Sequence, residues 1–201
     1  MVSMRKAHPE SIQLLGGTLA LDFVNTVNWS VRGEHVAPEV SDALTNPELL
    51  ARWGRRLGLL AVPPRPAVDT EQLARARRLR DAVYRVFAAV ARGDPPDNAD
   101  MDTIASDYAE AVAQGHLARG GVGWRWEWPP ADPRRLRFAV VVDAINLLQD
   151  ADRLARVARC PGRHCGWLFI NASSRRRWCS MGTCGSRDKM RRMYRRKHLR
   201  S

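Results

Sequence analysis

Four cysteines near the C-terminal end place the strongest constraint on the fold of this chain. They form two pairs, Cys160 with Cys165 and Cys179 with Cys184, and the sequence has no others. Each pair encloses four residues, and thirteen residues separate the two pairs. Zinc prefers four such ligands in a tetrahedron, and two short cysteine loops held apart by a hairpin supply them. The spacing therefore predicts one zinc ion bound by all four cysteines.

Two disulfide bonds, or four buried thiols without a metal, are the alternatives to this zinc site. Disulfides belong to oxidising compartments, and Arg5 and Lys6 are followed by polar residues instead of the apolar run of a secretory signal. Apolar runs such as Phe138 to Val142, which Asp143 ends, are too short to span a membrane. We therefore expect a cytoplasmic zinc protein without membrane contact.

The basic residues are concentrated in the same C-terminal segment. Residues 151–201 contain 15 Lys and Arg and 2 Asp and Glu, a net charge of +13. Residues 1–150 contain 18 Lys and Arg and 19 Asp and Glu, a net charge of −1. This asymmetry indicates two modules with different partners, and a polyanion suits the second. We therefore predict two domains, residues 1–150 and residues 151–201.

The N-terminal domain is predicted to be mainly helical, because its apolar residues recur mostly at helical spacing. Start signals such as Asn46 before Pro47 support this interpretation. The predicted helices cover residues 19–28, 47–57, 69–92 and 100–114, and another follows Asp132.

A small β element is predicted within this helical domain. Trp124, Trp126 and Trp128 alternate with charged residues, which is typical of a strand. We expect the aromatic row to pack in the core, and stacking on a base or ligand is the alternative. The fold class is therefore α+β, with a small zinc-stapled domain at the C-terminal end.

The C-terminal domain is predicted to be a zinc finger. We expect residues 153–159 to form a strand, and residues 167–170 to pair with residues 175–178 as a hairpin. The second cysteine pair then begins a helix, as in a treble-clef-like finger, or in a zinc ribbon if that helix is short. Because four thiolates leave the metal no open position, the zinc is expected to be structural and needed for folding.

Arginine and lysine residues precede and follow the second cysteine pair. A basic helix fits the major groove of DNA, where Arg contacts guanine or phosphate. We predict DNA as the partner, with RNA as an alternative and a solvated tail that binds anions without discrimination as the simplest interpretation. The candidate contacts are Arg175, Arg176, Arg177, Arg187, Lys189, Arg191, Arg192, Arg195, Arg196 and Lys197.

Two stretches resemble a known family. Trp178-Cys179-Ser180 and Cys184-Gly185-Ser186-Arg187 are similar to the CGNR zinc finger, with Ser186 in the position of its Asn. Residues 17–26, which read GTLALDFVNT, and the Arg32-Gly33 that follows resemble the start of the ABATE domain. The resemblance implies a bacterial transcription regulator. Serine can still hydrogen-bond near a helix start, but any base-reading role of an amide there is lost.

The N-terminal domain is expected to sense a ligand or to form an oligomer, of which a homodimer is one option. Four polar residues of the family-like segment are candidates for contact with a small effector. The alternative is that these groups cap helices or satisfy one another in the core. The candidates are Asp22, Asn25, Thr26 and Arg32.

The sequence shows no catalytic-triad order, phosphate-binding glycine loop or catalytic metal cluster. We therefore expect a DNA-binding regulator and no enzyme. Two alternative functions are an RNA- or protein-binding adaptor stapled by zinc, and an enzyme that uses its finger for targeting.

Overall fold

A computed structural model describes residues 7–30, 32–61 and 67–198, with side chains up to residue 196. Lys197 therefore lies in the last helix with its side chain outside the described part. None of the described helices is long and apolar enough to cross a bilayer. The helices are α1 (Leu19–Val24), α2 (Pro38–Ser41), α3 (Pro47–Arg56), α4 (Thr70–Val90), α5 (Asn98–Gln114), α6 (Arg135–Gln149), α7 (Ala151–Leu154) and α8 (Ser186–His198).

The strands form two small antiparallel sheets. The first pairs β1 (His116–Gly120) with β2 (Gly123–Glu127), and the second pairs β3 (Val157–Arg159) with β4 (Leu168–Ile170). Helices thus dominate the N-terminal part, and the second sheet belongs to the segment that carries the cysteines. The predicted α+β class is confirmed.

The predicted helix starts are confirmed at α3 and α4. Asn46 Oδ1 accepts a hydrogen bond from Leu49 N at 2.9 Å, and Pro47 occupies the first turn, where no backbone donor is needed. Asp69 Oδ1 likewise accepts from Gln72 N at 2.8 Å. These side chains satisfy backbone N–H groups that a helix start leaves unpaired.

The aromatic row near β2 is divided between core and solvent. Trp128 is 5% exposed, packs on Phe138 with 5.7 Å between ring centroids, and donates from Nε1 to Ala111 O at 2.8 Å. Trp124 is 70% exposed, and Val122 at the hairpin tip is fully exposed. The expectation of a buried row is therefore wrong for Trp124, because only the base of the hairpin packs against the helices.

The prediction of one strand over residues 153–159 is wrong in its first half. Asp150 Oδ1 accepts a hydrogen bond from Arg153 N at 3.0 Å and caps the short helix α7. Only the three residues of β3 are extended before Cys160. The local cap at Asp150 therefore favours a helical turn where the sequence predicts a strand.

The predicted hairpin is also wrong, since β4 pairs with β3 and not with residues 175–178. The side chain of Asn171 accounts for the difference. It accepts from Arg176 N at 3.1 Å and donates to Arg176 O at 3.0 Å. These two bonds pair the backbone N–H and C=O of Arg176, which the predicted hairpin would have paired with another strand. They also close a loop between residues 171 and 176.

The apolar core continues from the helices into the cysteine-bearing segment. Val157 in β3 and Leu168 in β4 are buried in the same core as α1, α4 and α6. The next residue, Phe169, packs instead in a smaller cluster with the four cysteines and Trp178. One face of β4 therefore meets the helices and the other meets the cysteines. The domain boundary at residue 150 stays a prediction, while β3 and β4 complete the core that begins before it.

Candidate metal centre and basic surface

The four cysteines form one buried cluster. Their Sγ atoms all lie within 4.8 Å of one another, and Cys179 Sγ is 3.6 Å from both Cys165 Sγ and Cys184 Sγ. A tetrahedral zinc ion with Zn–S bonds of about 2.3 Å separates its sulfur ligands by about 3.8 Å. The cluster therefore has the dimensions of a zinc tetrathiolate site.

The chemistry of the cluster also fits zinc. All four cysteines are free, and their sulfur atoms are well beyond the roughly 2.0 Å of a disulfide bond. The thiolate is the form of cysteine that binds metal, and zinc is bound by four of them in structural sites. The predicted site is confirmed as a site for one structural Zn2+, whose four thiolates leave no position for substrate or water.

A tight turn brings the first cysteine pair to the metal site. Cys165 N donates to Gly162 O at 3.0 Å. Glycine is needed at this position, since a Cβ atom on Gly162 would lie 2.8 Å from Cys184 Sγ. The turn between Pro161 and Cys165 can therefore approach the second cysteine pair only without a side chain.

A π-helical turn, Met181–Gly185, carries Cys184 directly into α8. The prediction that the second cysteine pair begins a helix is confirmed. Ser186, which replaces the Asn of the CGNR motif, donates from Oγ to Met181 O at 2.8 Å. This bond spans the π-helical turn, so serine supplies the hydrogen bond that was expected at the start of the helix.

Arg176 faces inward, in contrast to its two arginine neighbours in the sequence, which are exposed. Its guanidinium carbon lies 4.2 Å from the centroid of the Phe169 ring, an arrangement that is typical of a cation–π contact. Arg176 therefore stabilises the finger from within. It also donates hydrogen bonds to the carbonyl oxygens of Leu15, Trp178 and Cys179.

The remaining basic residues form an exposed surface next to the metal site. Asp188 is the one acidic residue of α8, and it pairs with Arg192 at 2.9 Å. Within the described residues, the other basic side chains of α8 make no ion pair with a carboxylate. We refer to the following exposed residues as the basic surface: Arg175, Arg177, Arg187, Lys189, Arg191, Arg192, Arg195 and Arg196.

Two of the predicted effector contacts, Asn25 and Thr26, are fully buried. The Asn25 amide accepts from Leu168 N at 2.9 Å and donates to Leu168 O at 2.8 Å. Thr26 Oγ1 accepts from Arg80 Nη1 at 3.2 Å, and the same guanidinium pairs with Asp42 at 2.9 Å. Both residues therefore hold the core together, as in the alternative interpretation of the sequence.

The other two candidates are placed differently. Asp22 is 9% exposed, and its Oδ1 accepts from Gly16 N at 2.7 Å. Arg32 is exposed and lines a cavity of about 280 Å³ together with Arg85 and Asp100. Asp22, Asn25 and Thr26 do not line the cavity of Arg32, and effector contact by the four residues stays a prediction.

Asp22 should give the stability of the protein a specific pH dependence. Burial raises the pKa of this carboxyl from 3.8 to about 6, because the charged form loses hydration. The stabilising contribution of the protonated form is fully present below about pH 4 and is lost as the pH rises through about 6. Asn has no charged form, so we expect Asp22→Asn to lack this pH-dependent loss. The free energy of unfolding of the variant minus that of wild type should therefore be about 2–3 kcal/mol larger at pH 7 than at about pH 4.

Urea unfolding at several pH values measures this difference. The neutral side chain of Asp22→Asn retains an oxygen that can accept the bond from Gly16. The exposed Asp152 provides the control, since Asp152→Asn should reproduce the wild-type pH profile. A profile of Asp22→Asn that runs parallel to wild type would contradict the assignment.

Sequence reasoning missed the residues that join the finger to the helices. Tyr84 Oη donates to Gly166 O at 3.1 Å and accepts from Arg159 Nε at 3.0 Å. Trp29 stacks on Tyr84 with 3.8 Å between ring centroids, and Arg159 donates to Ser30 O at 2.8 Å. A tyrosine in the apolar stripe of a helix carries no local signal of an arginine partner 75 residues away.

Comparison with known families accounts for both parts of the chain. The ABATE model, described as "Putative stress-induced transcription regulator", matches residues 17–160. The model of the CGNR zinc finger matches residues 156–197. A search of the curated proteins found no match. The two matched regions overlap at β3, the strand that the finger shares with the core of the helices.

Proposed function

Because the chain belongs to the ABATE family and ends in a CGNR zinc finger, we propose that it is a transcription regulator that binds DNA through this finger. The basic surface is the observation that carries this function. It consists of exposed cationic side chains next to a zinc-stapled platform. Cations that replace the counterions of several phosphates at once supply most of the affinity of such proteins for DNA.

The dimensions of α8 support this role. The helix has 13 residues and is therefore about 20 Å long, and a helix of this kind fits the major groove. Arg187, Arg191 and Arg195 follow one another at four-residue spacing, so they share a face of the helix. In our proposal Arg191 and Arg195 bind phosphates, while Arg187 contacts a base edge.

We propose a binding role instead of catalysis. Four thiolates complete the coordination of zinc, so the metal offers no site for a reacting group. The helical domain would sense an effector or form an oligomer, and the protein would work in the cytoplasm, where reducing conditions keep the thiols available for zinc.

The affinity for duplex DNA should fall steeply with salt. The expected slope of log K against log salt is about −0.9 per phosphate contact. Replacing Arg191 and Arg195 together by Ala should weaken binding to all sequences by roughly tenfold or more and make the slope less negative by about 1.8. Arg187→Ala should instead change the preference among sequences. Fluorescence anisotropy with random and selected duplexes, at several salt concentrations, measures these effects.

A matched control removes the same charge from the other domain. Arg78 and Arg119 are exposed in the helical part, so the Arg78→Ala, Arg119→Ala double variant should bind DNA nearly as wild type does. Equal losses in both double variants would contradict the role of α8. If RNA competes more strongly than duplex DNA, the finger is an RNA-binding module instead.

A further inference from the structure

A cleft lies where the helical domain meets the finger. Its volume is about 750 Å³, within the range of sites that hold small molecules. Three parts of the chain supply its walls: residues 28, 36, 37 and 41 of the helical domain, residues 163 and 164 of the first cysteine loop, and residues 187, 190 and 191 of α8. A molecule in this cleft would therefore touch the helical domain and the basic helix at the same time.

The cleft combines apolar walls with positive charge. Val36, Ala37 and Met190 supply apolar surface, and Met190 is left 70% exposed by the protein itself. Arg163 and Arg187 also line the cleft, and neither forms an ion pair with a carboxylate of the described residues. Guanidinium groups bind carboxylates through two parallel charge-assisted hydrogen bonds. An anion with an apolar body matches both features.

The backbone on two sides of the cleft is strained. Ala37 has φ of 46° and His164 has φ of 62°, and both residues line the cleft. A left-handed conformation costs a non-glycine residue about 1–2 kcal/mol. Strain of this kind is concentrated at functional sites such as ligand clamps. Two residues in this conformation, from different segments of the chain, line the cleft.

We propose that the cleft binds a small carboxylate with an apolar body, and that the bound carboxylate lowers the affinity of α8 for DNA. Binding requires only the cleft, whereas the effect on DNA rests on the proposed function. Arg187 and Arg191 belong to both the cleft and the basic surface. A carboxylate that neutralises them removes positive charge from one proposed phosphate contact, Arg191, and from the proposed base contact, Arg187. By linkage, DNA lowers the affinity for the carboxylate by the same factor.

Octanoate is a suitable probe because it has both a carboxylate and an apolar chain. Acetate carries the charge without the chain, and octan-1-ol carries the chain without the charge. Isothermal titration calorimetry of the full, zinc-loaded chain should show saturable binding of octanoate. Acetate and octan-1-ol should each bind about tenfold more weakly or not at all.

Variants of the cleft wall test its location. Val36→Glu places a carboxylate in the cleft and should weaken octanoate binding by about tenfold or more, whereas the neutral Val36→Gln, of similar size, should have a clearly smaller effect. Arg163→Gln should also weaken octanoate binding. The carboxylate of Val36→Glu would lie in the cleft that Arg187 and Arg191 line, so it should itself raise the Kd for DNA, as octanoate does. The neutral Val36→Gln should bind DNA like wild type when octanoate is absent. Their zinc content and thermal midpoints check that the fold is intact.

The coupling is measured with the DNA assay. Octanoate should raise the Kd for DNA in wild type and leave it unchanged in Val36→Glu. The site is wrong if octanoate does not bind in a saturable way, or if Val36→Glu and Arg163→Gln bind it as wild type does. An unchanged Kd for DNA in the presence of bound octanoate would overturn the coupling alone. Failure to bind DNA with octanoate binding intact would overturn the proposed function and leave the site standing.

Discussion

Removing the zinc ion should unfold the finger and lower the thermal midpoint of the whole chain by about 10 °C or more. Structural zinc contributes about 10–16 kcal/mol to the folding of small zinc fingers, which is comparable to the total stability of a domain, about 5–15 kcal/mol. The loss should reach the helices, because Val157 and Leu168 belong to their core. Thermal melts before and after treatment with a chelator measure the change.

The metal itself provides the control for this experiment. Adding Zn2+ back should restore the midpoint, whereas Mg2+ should not, since Mg2+ prefers oxygen ligands. Cys160→Ser should behave like the chelated chain, and metal analysis of wild type should give about one zinc per chain. Zinc removal should also abolish DNA binding without any change in an arginine, because Cys184 anchors the start of α8. An unchanged midpoint in a chain that has lost its zinc would contradict the shared core.

Local chemistry explains which features could be predicted from the sequence. The metal site could be predicted because two closely spaced cysteine pairs are typical of a tetrahedral zinc site. The starts of α3 and α4 depend on Asn46 and Asp69, whose side chains bond to backbone groups three residues away. Signals of this kind act over a few positions, so no knowledge of the tertiary structure is needed to interpret them.

The pairing of β4 depends on contacts that the sequence does not reveal. Strands of three residues form few backbone bonds, so their own pattern selects no partner. The choice is made by the Asn171 side chain, which occupies the backbone of Arg176, and by the burial of Leu168 against α1 and α4. The exposure of Trp124 could not be predicted for a similar reason. The alternation of tryptophans with charged residues predicts a strand, but it does not show which part of that strand packs against the helices.

Asn25 shows why the role of a buried polar residue is difficult to infer. A polar residue in a family-like segment can bind an effector or satisfy the core, and the two uses require the same side chain. In the structure, the partner of Asn25 is Leu168, 143 residues later in the chain. Its amide forms hydrogen bonds with the backbone N–H and C=O of Leu168 in β4, as a neighbouring strand would do. The contact thereby fixes the finger to α1.

Asn25→Ala should therefore destabilise the protein strongly, by about 2–5 kcal/mol in free energy of unfolding. The change leaves the N–H and the C=O of Leu168 without partners. Leu168 is 0% exposed, so water cannot replace the lost amide. Each buried backbone group left unpaired costs about 1–3 kcal/mol. Urea unfolding of the zinc-loaded chain, without any effector, measures the loss.

Asn171→Ala is the matched control for this prediction. Its amide makes the same two bonds to a single residue, Arg176, at 3.0 and 3.1 Å, but this contact lies within the finger and is only half-buried. Water can replace part of the lost amide there, so we expect a cost of about 1 kcal/mol or less. If Asn25 served mainly to bind an effector, Asn25→Ala would retain wild-type stability in the effector-free protein. Equal, small losses in both variants would therefore contradict the role of Asn25 in holding the finger to the helices.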